Sequence, residues 1–469
     1  MHTKKCKLIY SLLLIAAVLP ASCKKFLDVK PEDRYTDEQV FTSRQAIQQT
    51  MNGLYQGLTN DHLYGGSLTV EAIELIANRY NTQGLLTNYE DIVLNYGIQG
   101  PPGSTFDAIW SNAYALVLRI NNFIQSLEKT KGKGVITDAQ VSQLQGEAIA
   151  LRAFIQFDVL RLYGPKYSGD DDEAGIPYYS TADGKATPVL SFGQSIDKVL
   201  EDLAAAEQLL VNDPIKTGGV GITSTIDFFS SYRNRRMNYY AVKALEARVN
   251  LYARRAAEAH AAAKEVVDAA DAVFPWTDYS NVINTPVPDR IFSSEVIFGM
   301  DNRNLYALQN QYFSAALFPY QMLVPTSDQL EASFEYNEND YRYVLSSWQF
   351  SSYGFRTSIK YADLADQSKS WRYFQPLIRK SELYYILAET EPDPATGVQY
   401  LNTVRFNRGL PDLPPDAPLM DYGGEIEKEY IKEFYGEGQL FYFYKRIEAW
   451  WVSIPSFQVP FPVSETSLR

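Results

Sequence analysis

The strongest signal in the chain is a helical spacing of apolar residues that recurs in several separate segments. In GEAIALRAFIQFDVLRLYGP (146–165), apolar side chains at steps of three and four form one continuous stripe: Ala148, Leu151, Ile155, Val159 and Leu162. Gly164 and Pro165 follow, and both residues are typical of a helix end. The spacing therefore predicts a helix with one continuous apolar stripe that stops at Gly164.

A second segment, residues 235–270, predicts two helices packed side by side. The first helix carries an apolar stripe made by Ala241, Leu245, Val249 and Tyr252. An alanine-rich helix follows after a brief turn, and its small side chains allow the two backbones to lie close together. We therefore expect an αα-hairpin here.

A third segment, residues 376–410, also predicts a helix pair. The first helix runs through Leu383 and Leu387 and ends near Glu391. Asp393 and Pro394 have the residue types preferred at the cap and first position of a helix. Gly409 is expected to close this second helix, and Arg405 and Arg408 in its last turn suit the negative end of the helix dipole.

Recurring helix pairs suggest tetratricopeptide-like units, and the residues support this only in part. Ala247, Ala259 and Val266 fall at positions where that repeat has small or apolar residues. Glu246 and Asn250 instead occupy positions where it prefers a large apolar residue and a Tyr. Periodicity alone therefore leaves the repeat open.

Long stretches without helical periodicity separate the helix pairs. They are rich in Asn, Gly, Pro, Ser and aromatic residues, and they comprise residues 59–110, 163–190, 211–234, 271–375 and 409–424. Loops of this length inside a compact protein are usually functional. The pattern predicts a helical scaffold that carries aromatic loops for binding.

The first 22 residues have the layout of an export signal. Three lysines precede an apolar run (residues 8–19) and a few small residues, and Cys23 follows directly. The run is shorter than the roughly 20 apolar residues that span a bilayer. Cleavage before Cys23 would expose an N-terminal cysteine for lipid attachment, which anchors a chain without spanning the membrane. An ordinary secretory signal with a fortuitous cysteine remains the alternative.

Composition excludes several classes of function. The net charge of −13 argues against nucleic acid as a partner, because such binding rests on a basic surface. Beyond the export signal only His62, His260 and Cys23 remain of the His and Cys residues, so a catalytic Cys–His pair and a Cys/His zinc site are excluded. The 34 Tyr residues favour a binding surface, since Tyr joins a flat apolar face to a polar tip.

Six segments together resemble the SusD/RagB-like outer-membrane nutrient-binding lipoproteins of Bacteroidetes. They occur in that family's order, and they are SCKKFLDVKPEDRYTDEQVFTS (22–43), WSNAYALVLRINNFIQSLE (110–128), the helix at 146–165, RRMNYYAVKALEARVNLYA (235–253), LIRKSELYYILAET with LNTVRFNRGLPDLP (377–414), and FQVPFPVSE (457–465). The segment 427–447 keeps the family's glutamates but has Leu440 where an Arg is usual and Phe443 where an Asp is usual. We expect aromatic packing to replace polar contacts there.

The resemblance implies an all-α fold, mainly helical, in which four tetratricopeptide-like helix pairs support irregular ligand-binding loops. It implies one SusD-like domain over residues 23–469, with an N-terminal part (23–215) and a C-terminal RagB/SusD part (216–469), after a lipoprotein signal at 1–22. It further implies a surface-exposed lipoprotein of the outer membrane, anchored through Cys23. This protein would capture a nutrient, most often a glycan, as the lid of a TonB-dependent SusC-like transporter barrel, without catalysis, cofactor or metal.

The ligand site is expected in two windows, residues 77–90 and 300–355, by analogy with the family's ligand loops. The side chains that combine aromatic faces with hydrogen-bonding groups in these windows are Arg79, Tyr80, Asn81, Tyr89, Tyr306, Tyr312 and Trp348. Simple packing is the competing interpretation for each aromatic residue.

Two other classes of function stay open from sequence. A helical glycoside hydrolase needs only two carboxylates at a set separation, and the chain has 56 acidic residues. A pure interaction scaffold would bind the barrel and no soluble nutrient. The acidic stretch GDDDEAG (169–175) has suitable oxygen ligands for calcium, but its spacing matches no calcium loop, so no metal is predicted.

Overall fold

The computed structural model describes residues 41–466 except for 87–88, 90–91, 94–103, 167–168, 223–225, 284, 345 and 455. Cys23, the export signal and most of the first matching segment therefore lie outside the described residues. Within the described part, no helix has the length and apolar character needed to cross a membrane.

Helices dominate the described residues. They are α1 (Arg44–Leu58), α2 (Ala72–Ile76), α3 (Thr105–Glu128), α4 (Asp138–Tyr163), α5 (Phe192–Leu209), α6 (Ile215–Gly218), α7 (Tyr239–Tyr252), α8 (Ala256–Val273), α9 (Leu305–Phe313), α10 (Ser327–Ser333), α11 (Lys380–Thr390), α12 (Pro394–Phe406), α13 (Glu425–Glu433), α14 (Leu440–Ile447) and α15 (Val463–Thr466). Three two-stranded antiparallel sheets accompany them: β1 (Ala174–Pro177) with β2 (Val189–Ser191), β3 (Val296–Asp301) with β6 (Phe374–Arg379), and β4 (Trp348–Phe350) with β5 (Arg356–Ser358).

Helix pairs form the scaffold, in agreement with the predicted mainly helical fold. Neighbouring helices pack α3 on α4, α4 on α5, α7 on α8, α8 on α11, and α11 on α12. Capping explains several helix starts: the Thr137 side chain accepts the Gln140 amide in a capping box at α4, and Asn238 accepts the Ala241 amide at α7. Satisfied first-turn amides let these helices begin at defined positions.

The predicted helix ends are confirmed where the end signal is local. α4 ends at Tyr163, with Gly164 as its cap, and α12 begins at Pro394 with the Asp393 side chain accepting the Thr396 amide. Gly409 adopts φ 78°, which suits glycine. The predicted position of Arg408 was wrong: α12 ends at Phe406, and Arg408 lies beyond it.

Four predicted irregular regions contain short regular elements. Residues 59–110 include α2 and the start of α3, residues 163–190 include β1, residues 211–234 include α6, and residues 271–375 include β3, α9, α10, β4 and β5. β3 pairs with β6 from Val296 opposite Arg379 to Asp301 opposite Phe374, and all six residues of β6 are buried. Such short elements carry no clear period of their own, so they resemble loops in the sequence.

A buried network of charges fixes the C-terminal part. Glu433 on α13 contacts Arg342, Arg379 and Arg408, and nearby Glu429 contacts Arg342 and Arg405. Burial alone would raise the pKa of Glu429, but the surrounding cations lower it to about 2. These glutamates are therefore charged counter-ions in the core.

The segment that departs from the family pattern is packed with aromatic rings, as expected. Phe443 is buried and stacks on Tyr430 at 4.3 Å between ring centroids, with 22° between ring planes. Leu440 is also buried. One hydrophobic core cluster includes residues from both the N-terminal and C-terminal parts, and the division at 215/216 stays a prediction.

Candidate functional site

The structure places the predicted residues of the first window mainly in the core. Arg79 is buried, pairs with Glu74 at 2.8 Å and donates to the Ile431 carbonyl at 2.5 Å. Tyr80 is buried and its hydroxyl donates to the Val70 carbonyl at 2.9 Å. Asn81 is half-buried, and Tyr89 is buried with its pKa raised by burial to about 12.

The predicted residues of the second window show the same tendency. The Tyr312 hydroxyl donates to Glu71 at 2.8 Å, and the Trp348 indole donates to the Arg342 carbonyl at 2.9 Å. Tyr306 is half-buried, with its ring centroid 4.6 Å from that of Tyr373. A ligand could reach Arg79, Tyr80, Tyr89, Tyr312 or Trp348 only by displacing protein atoms. Ligand contact by all seven residues stays a prediction.

Three exposed rings, which sequence reasoning did not select, lie together within the second window. We define the aromatic platform as Phe318, Tyr320 and Tyr353, which are 51%, 45% and 47% exposed. The Phe318 and Tyr320 centroids are 5.5 Å apart with only 5° between ring planes, and Tyr353 lies 6.0 Å from Phe318. The chain thus keeps three large apolar faces half in solvent.

Backbone hydrogen bonds join the platform to the first predicted window. The Leu86 amide donates to the Tyr320 carbonyl at 3.0 Å, and the Asn81 amide donates to the Val324 carbonyl at 2.9 Å. These two bonds bring residues 81–86 of the first window next to residues 320–324 of the second. The Asn81 side chain accepts the Gln83 amide at 3.2 Å, which places hydrogen-bonding groups on this loop.

Tight turns hold the platform rings outward. Pro319 fixes the backbone between Phe318 and Tyr320 at the start of a short 3₁₀ turn. Tyr353 lies at the tip of the β4–β5 hairpin beside Gly354, whose φ of 82° suits the turn. The turns fix the backbone that carries these rings, and stacking restrains Phe318 and Tyr320 against each other.

Two of the buried predicted residues, Tyr80 and Tyr312, contact chain segments next to the platform. Leu323 donates its amide to the Tyr312 carbonyl at 3.0 Å, and Thr357 of β5 donates its hydroxyl to the Phe313 carbonyl at 2.5 Å. The Tyr80 ring packs edge-on against Phe313, at 6.2 Å between centroids. These contacts fix the end of α9 and the hairpin, so the platform has a rigid base.

A sequence signal for the platform exists in its neighbours. Phe318 and Tyr320 flank Pro319, and Tyr353 precedes Gly354, so all three rings lie at turn residues. Tyr312 belongs to the helical segment α9 and Trp348 to strand β4, and both are buried. A position next to Pro or Gly therefore indicated an exposed ring better than the residue type did.

A second exposed aromatic group lies outside both windows. Tyr422 is 72% and Trp450 82% exposed, with ring centroids 6.2 Å apart and 17° between their planes. Trp451 lies edge-on to both, and its indole donates to Glu427 at 2.9 Å. This group provides a natural comparison for the platform.

The buried carboxylates of the charge network are unsuited to acid catalysis. A glycosidase acid must hold a proton near neutral pH, which requires a raised pKa. Arg379, Arg408 and Arg342 instead hold the pKa of Glu433 well below its usual range, although burial alone would raise it. Within the described residues, no group of three or more His, Cys, Asp or Glu side chains is arranged to hold a metal ion.

Comparison with known proteins confirms the resemblance and the fold. Residues 25–220 match the family model SusD-like_3, described as starch-binding and associating with the outer membrane. A SusD-like protein P38 from Formosa agariphila is 26% identical over 208 residues, which are 42% of this chain and 36% of that protein. A SusD-like protein from Bacteroides ovatus is 28% identical over 165 residues, 34% of this chain and 29% of that protein. The matches thus span about a third of these relatives.

Solved structures share the fold over most of the chain. A SusD superfamily protein from Bacteroides thetaiotaomicron has a TM-score of 0.68 at 17% identity, covering 91% of this chain and 96% of that one. A SusD superfamily protein from Bacteroides fragilis has a TM-score of 0.66 at 21% identity, covering 92% and 99%. Surface glycan-binding protein A from Bacteroides uniformis has a TM-score of 0.63 at 16% identity, covering 87% and 88%. The predicted fold class is confirmed.

Proposed function

We propose that this SusD-like chain is a surface lipoprotein that binds a nutrient glycan on the aromatic platform and delivers it to a SusC-like transporter. The observation that supports this most strongly is the set of three half-exposed rings on the surface where both predicted windows meet. The descriptions of similar proteins as starch-binding or glycan-binding support the same ligand class.

The platform has the physical properties that sugar binding requires. A pyranose ring presents C–H groups on its flat faces, and an aromatic face covers them with a gain from apolar burial. Hydroxyl groups at the ring edge need polar partners, which Asn81 and the exposed Gln83 offer at the adjoining loop. Rings already fixed by turns lose little conformational entropy on binding, which favours affinity.

Three glutamates that the structure describes fit capture without turnover. Glu429 and Glu433 are bound by arginines in the core, and Glu71 accepts from the Tyr312 hydroxyl. We propose that the glycan is returned unchanged, so the protein is not an enzyme. Product analysis after prolonged incubation tests this point, because a hydrolase would release shorter saccharides.

Anchoring at the outer membrane through Cys23 and partnership with a TonB-dependent SusC-like barrel are further parts of the proposal. The family description of outer-membrane association supports the location. Replacing Cys23 by Ser should release the protein from the membrane fraction of the producing cell. Retention of Cys23→Ser in the membrane fraction would contradict the lipid anchor.

The function can be tested by isothermal titration of residues 24–469 with neutral oligosaccharides of the malto-, xylo-, laminari- and manno- series. We expect saturable binding to one series, and loss of that binding in Phe318→Ala/Tyr320→Ala. Phe406→Ala is a matched control, because Phe406 is 74% exposed on α12 and outside the platform. Unchanged affinity in the double variant would contradict the platform as the binding site. If the wild-type protein binds none of these saccharides, an interaction scaffold is favoured.

A further inference from the structure

A large cleft with both polar and apolar lining residues opens at the N-terminal end of α9. Its volume is about 900 Å³, and its walls come from α1, the loop 226–236 and the end of β3 with residues 301–304. We call it the α9 cleft. A space of this size falls in the range of ligand-binding clefts.

The exposed lining of the α9 cleft combines side chains that donate hydrogen bonds with side chains that accept them. Gln56 of α1, Asp61, Arg303 and Asn304 are all exposed at its walls. The Asn304 side-chain amide donates to the Asp61 carboxylate at 3.5 Å, so the wall that follows α1 contacts the wall that follows β3. Amides, carboxylates and guanidinium groups in one concave surface match the alternating donors and acceptors of saccharide hydroxyls.

Hydrogen bonds and a cation–π contact hold the walls of the α9 cleft in place. Arg236 donates to Asn52 at 2.8 Å and lies over the Phe228 ring at 3.9 Å. Asn302, almost fully buried, donates to Gln375 at 2.9 Å and accepts the Asn304 amide at 2.9 Å. A wall tied to the core in this way keeps its shape without ligand, which lowers the entropy cost of binding.

One residue at the rim is held in an unfavourable backbone conformation. Tyr232 has φ 50° and ψ 46°, a left-handed geometry that costs a bulky residue conformational energy. Its ring lies 4.5 Å from the Arg235 guanidinium, and Arg235 pairs with Asp301 at 3.3 Å. Tyr232 and Arg235 therefore form a stacked pair in the lining of the cleft.

The charges lining the cleft favour a neutral ligand. Three arginines face three aspartates among the lining residues, and they are Arg235, Arg236, Arg303, Asp61, Asp227 and Asp301. A strongly acidic or basic ligand would therefore meet as much repulsion as attraction. Neutral hydroxyl-rich molecules use such mixed groups without this cost.

We propose that the α9 cleft is a second saccharide-binding site, separate from the aromatic platform. This inference rests on the proposed function, because it assigns the same ligand class to another part of the surface. α9 is about 14 Å long, with the cleft-lining Asn304 before its first residue and Phe313, which contacts the β4–β5 hairpin through Thr357, at its last. A glycan long enough to follow the helix would engage both sites, and its second contact would be effectively intramolecular.

The test compares a cleft variant, Gln56→Ala/Arg303→Ala, with the platform variant Phe318→Ala/Tyr320→Ala. Each is titrated with the oligosaccharide series that wild type binds, from disaccharides to decasaccharides. Loss of two hydrogen-bonding side chains should lower the affinity for the longest members about tenfold in the cleft variant. Arg119→Ala/Gln399→Ala is the matched control, since both residues are exposed on other helices, α3 and α12.

The two proposals fail in different ways. Wild-type affinity of the cleft variant at every length would overturn the second site and leave the platform untouched. Wild-type affinity of the platform variant, with binding lost in the cleft variant, would support the cleft and overturn the platform. If the wild-type protein binds no saccharide of any length, both proposed sites are wrong. Hydrogen exchange adds an independent readout: decasaccharide should protect amides in residues 300–304, and unchanged exchange there would contradict the cleft.

Discussion

Glu433 lies at the centre of the buried charge network, and its replacement by Gln should destabilise the fold strongly. Its Oε2 accepts from Arg342 at 2.7 Å and from Arg408 at 3.0 Å, and its Oε1 accepts from Arg408 at 2.6 Å and from Arg379. Gln has nearly the same size, so the change removes charge without opening a cavity. It also places an amide N–H₂ group against guanidinium groups.

The expected loss in the free energy of unfolding depends on the counter-ions that each arginine retains. Arg342 keeps Asp340, Arg379 keeps Glu437 and Arg408 keeps Glu295, so none loses every counter-ion; these residual pairs are within 2.8 Å. The cost should therefore match the loss of one buried partner, about 3–5 kcal/mol in the free energy of unfolding, and not three times that amount.

Urea unfolding followed by tryptophan fluorescence measures this free energy for wild type and Glu433→Gln. Glu201→Gln is the matched control, because Glu201 pairs with Lys198 on the exposed face of α5, where ion pairs contribute little. Equal unfolding free energies for Glu433→Gln and the control would refute the reasoning that the network stabilises this part of the fold.

Three further predictions concern acid stability, backbone geometry and the second aromatic group. The pKa of Glu429 is about 2 in the folded protein and about 4.3 in the unfolded chain, so its stabilising contribution is complete above about pH 4.3 and is lost as the pH falls toward 2. Urea unfolding at stepped pH should show this decline in the free energy of unfolding. A free energy of unfolding that does not change with pH over this range would contradict the prediction. Gly438→Ala should lower the free energy of unfolding by about 1–3 kcal/mol, because φ is 71° and a Cβ would lie 2.1 Å from the Leu68 carbonyl oxygen. Gly53→Ala, in open space on α1, should instead raise it by about 0.5–1 kcal/mol. Similar urea midpoints for the two variants would argue against this geometry. Trp450→Ala should leave oligosaccharide affinity unchanged in isothermal titration despite the high exposure of Trp450, and a loss would move the site away from the platform.

The sequence predicted the elements whose signals are local. A strong apolar stripe and the Gly164 end signal predicted α4 from residue 146 to its end but not its first two turns, and Asp393 with Pro394 predicted the start of α12. β6 was not predicted, because its six residues are buried on both sides and carry no alternation. α11 follows β6 directly at Lys380, without a side-chain cap to mark the change.

Roles that depend on distant residues could not be predicted from spacing. Arg408 has the residue type preferred at a helix C-terminus, but Glu295 and Glu433, far away in the chain, hold it in the core. Tyr312 and Tyr320 have the same side chain in the same window, yet one hydroxyl is bound by Glu71 and the other ring is exposed. The packing of the whole fold decides which rings remain available for a ligand.

A crystal structure of residues 24–469 with the oligosaccharide that binds most tightly in titration tests the platform most directly. We expect sugar rings on Phe318 and Tyr320, with hydroxyl groups directed toward the loop that carries Asn81. An intact saccharide bound elsewhere, with the platform rings still in solvent, would show that the platform is not the binding site.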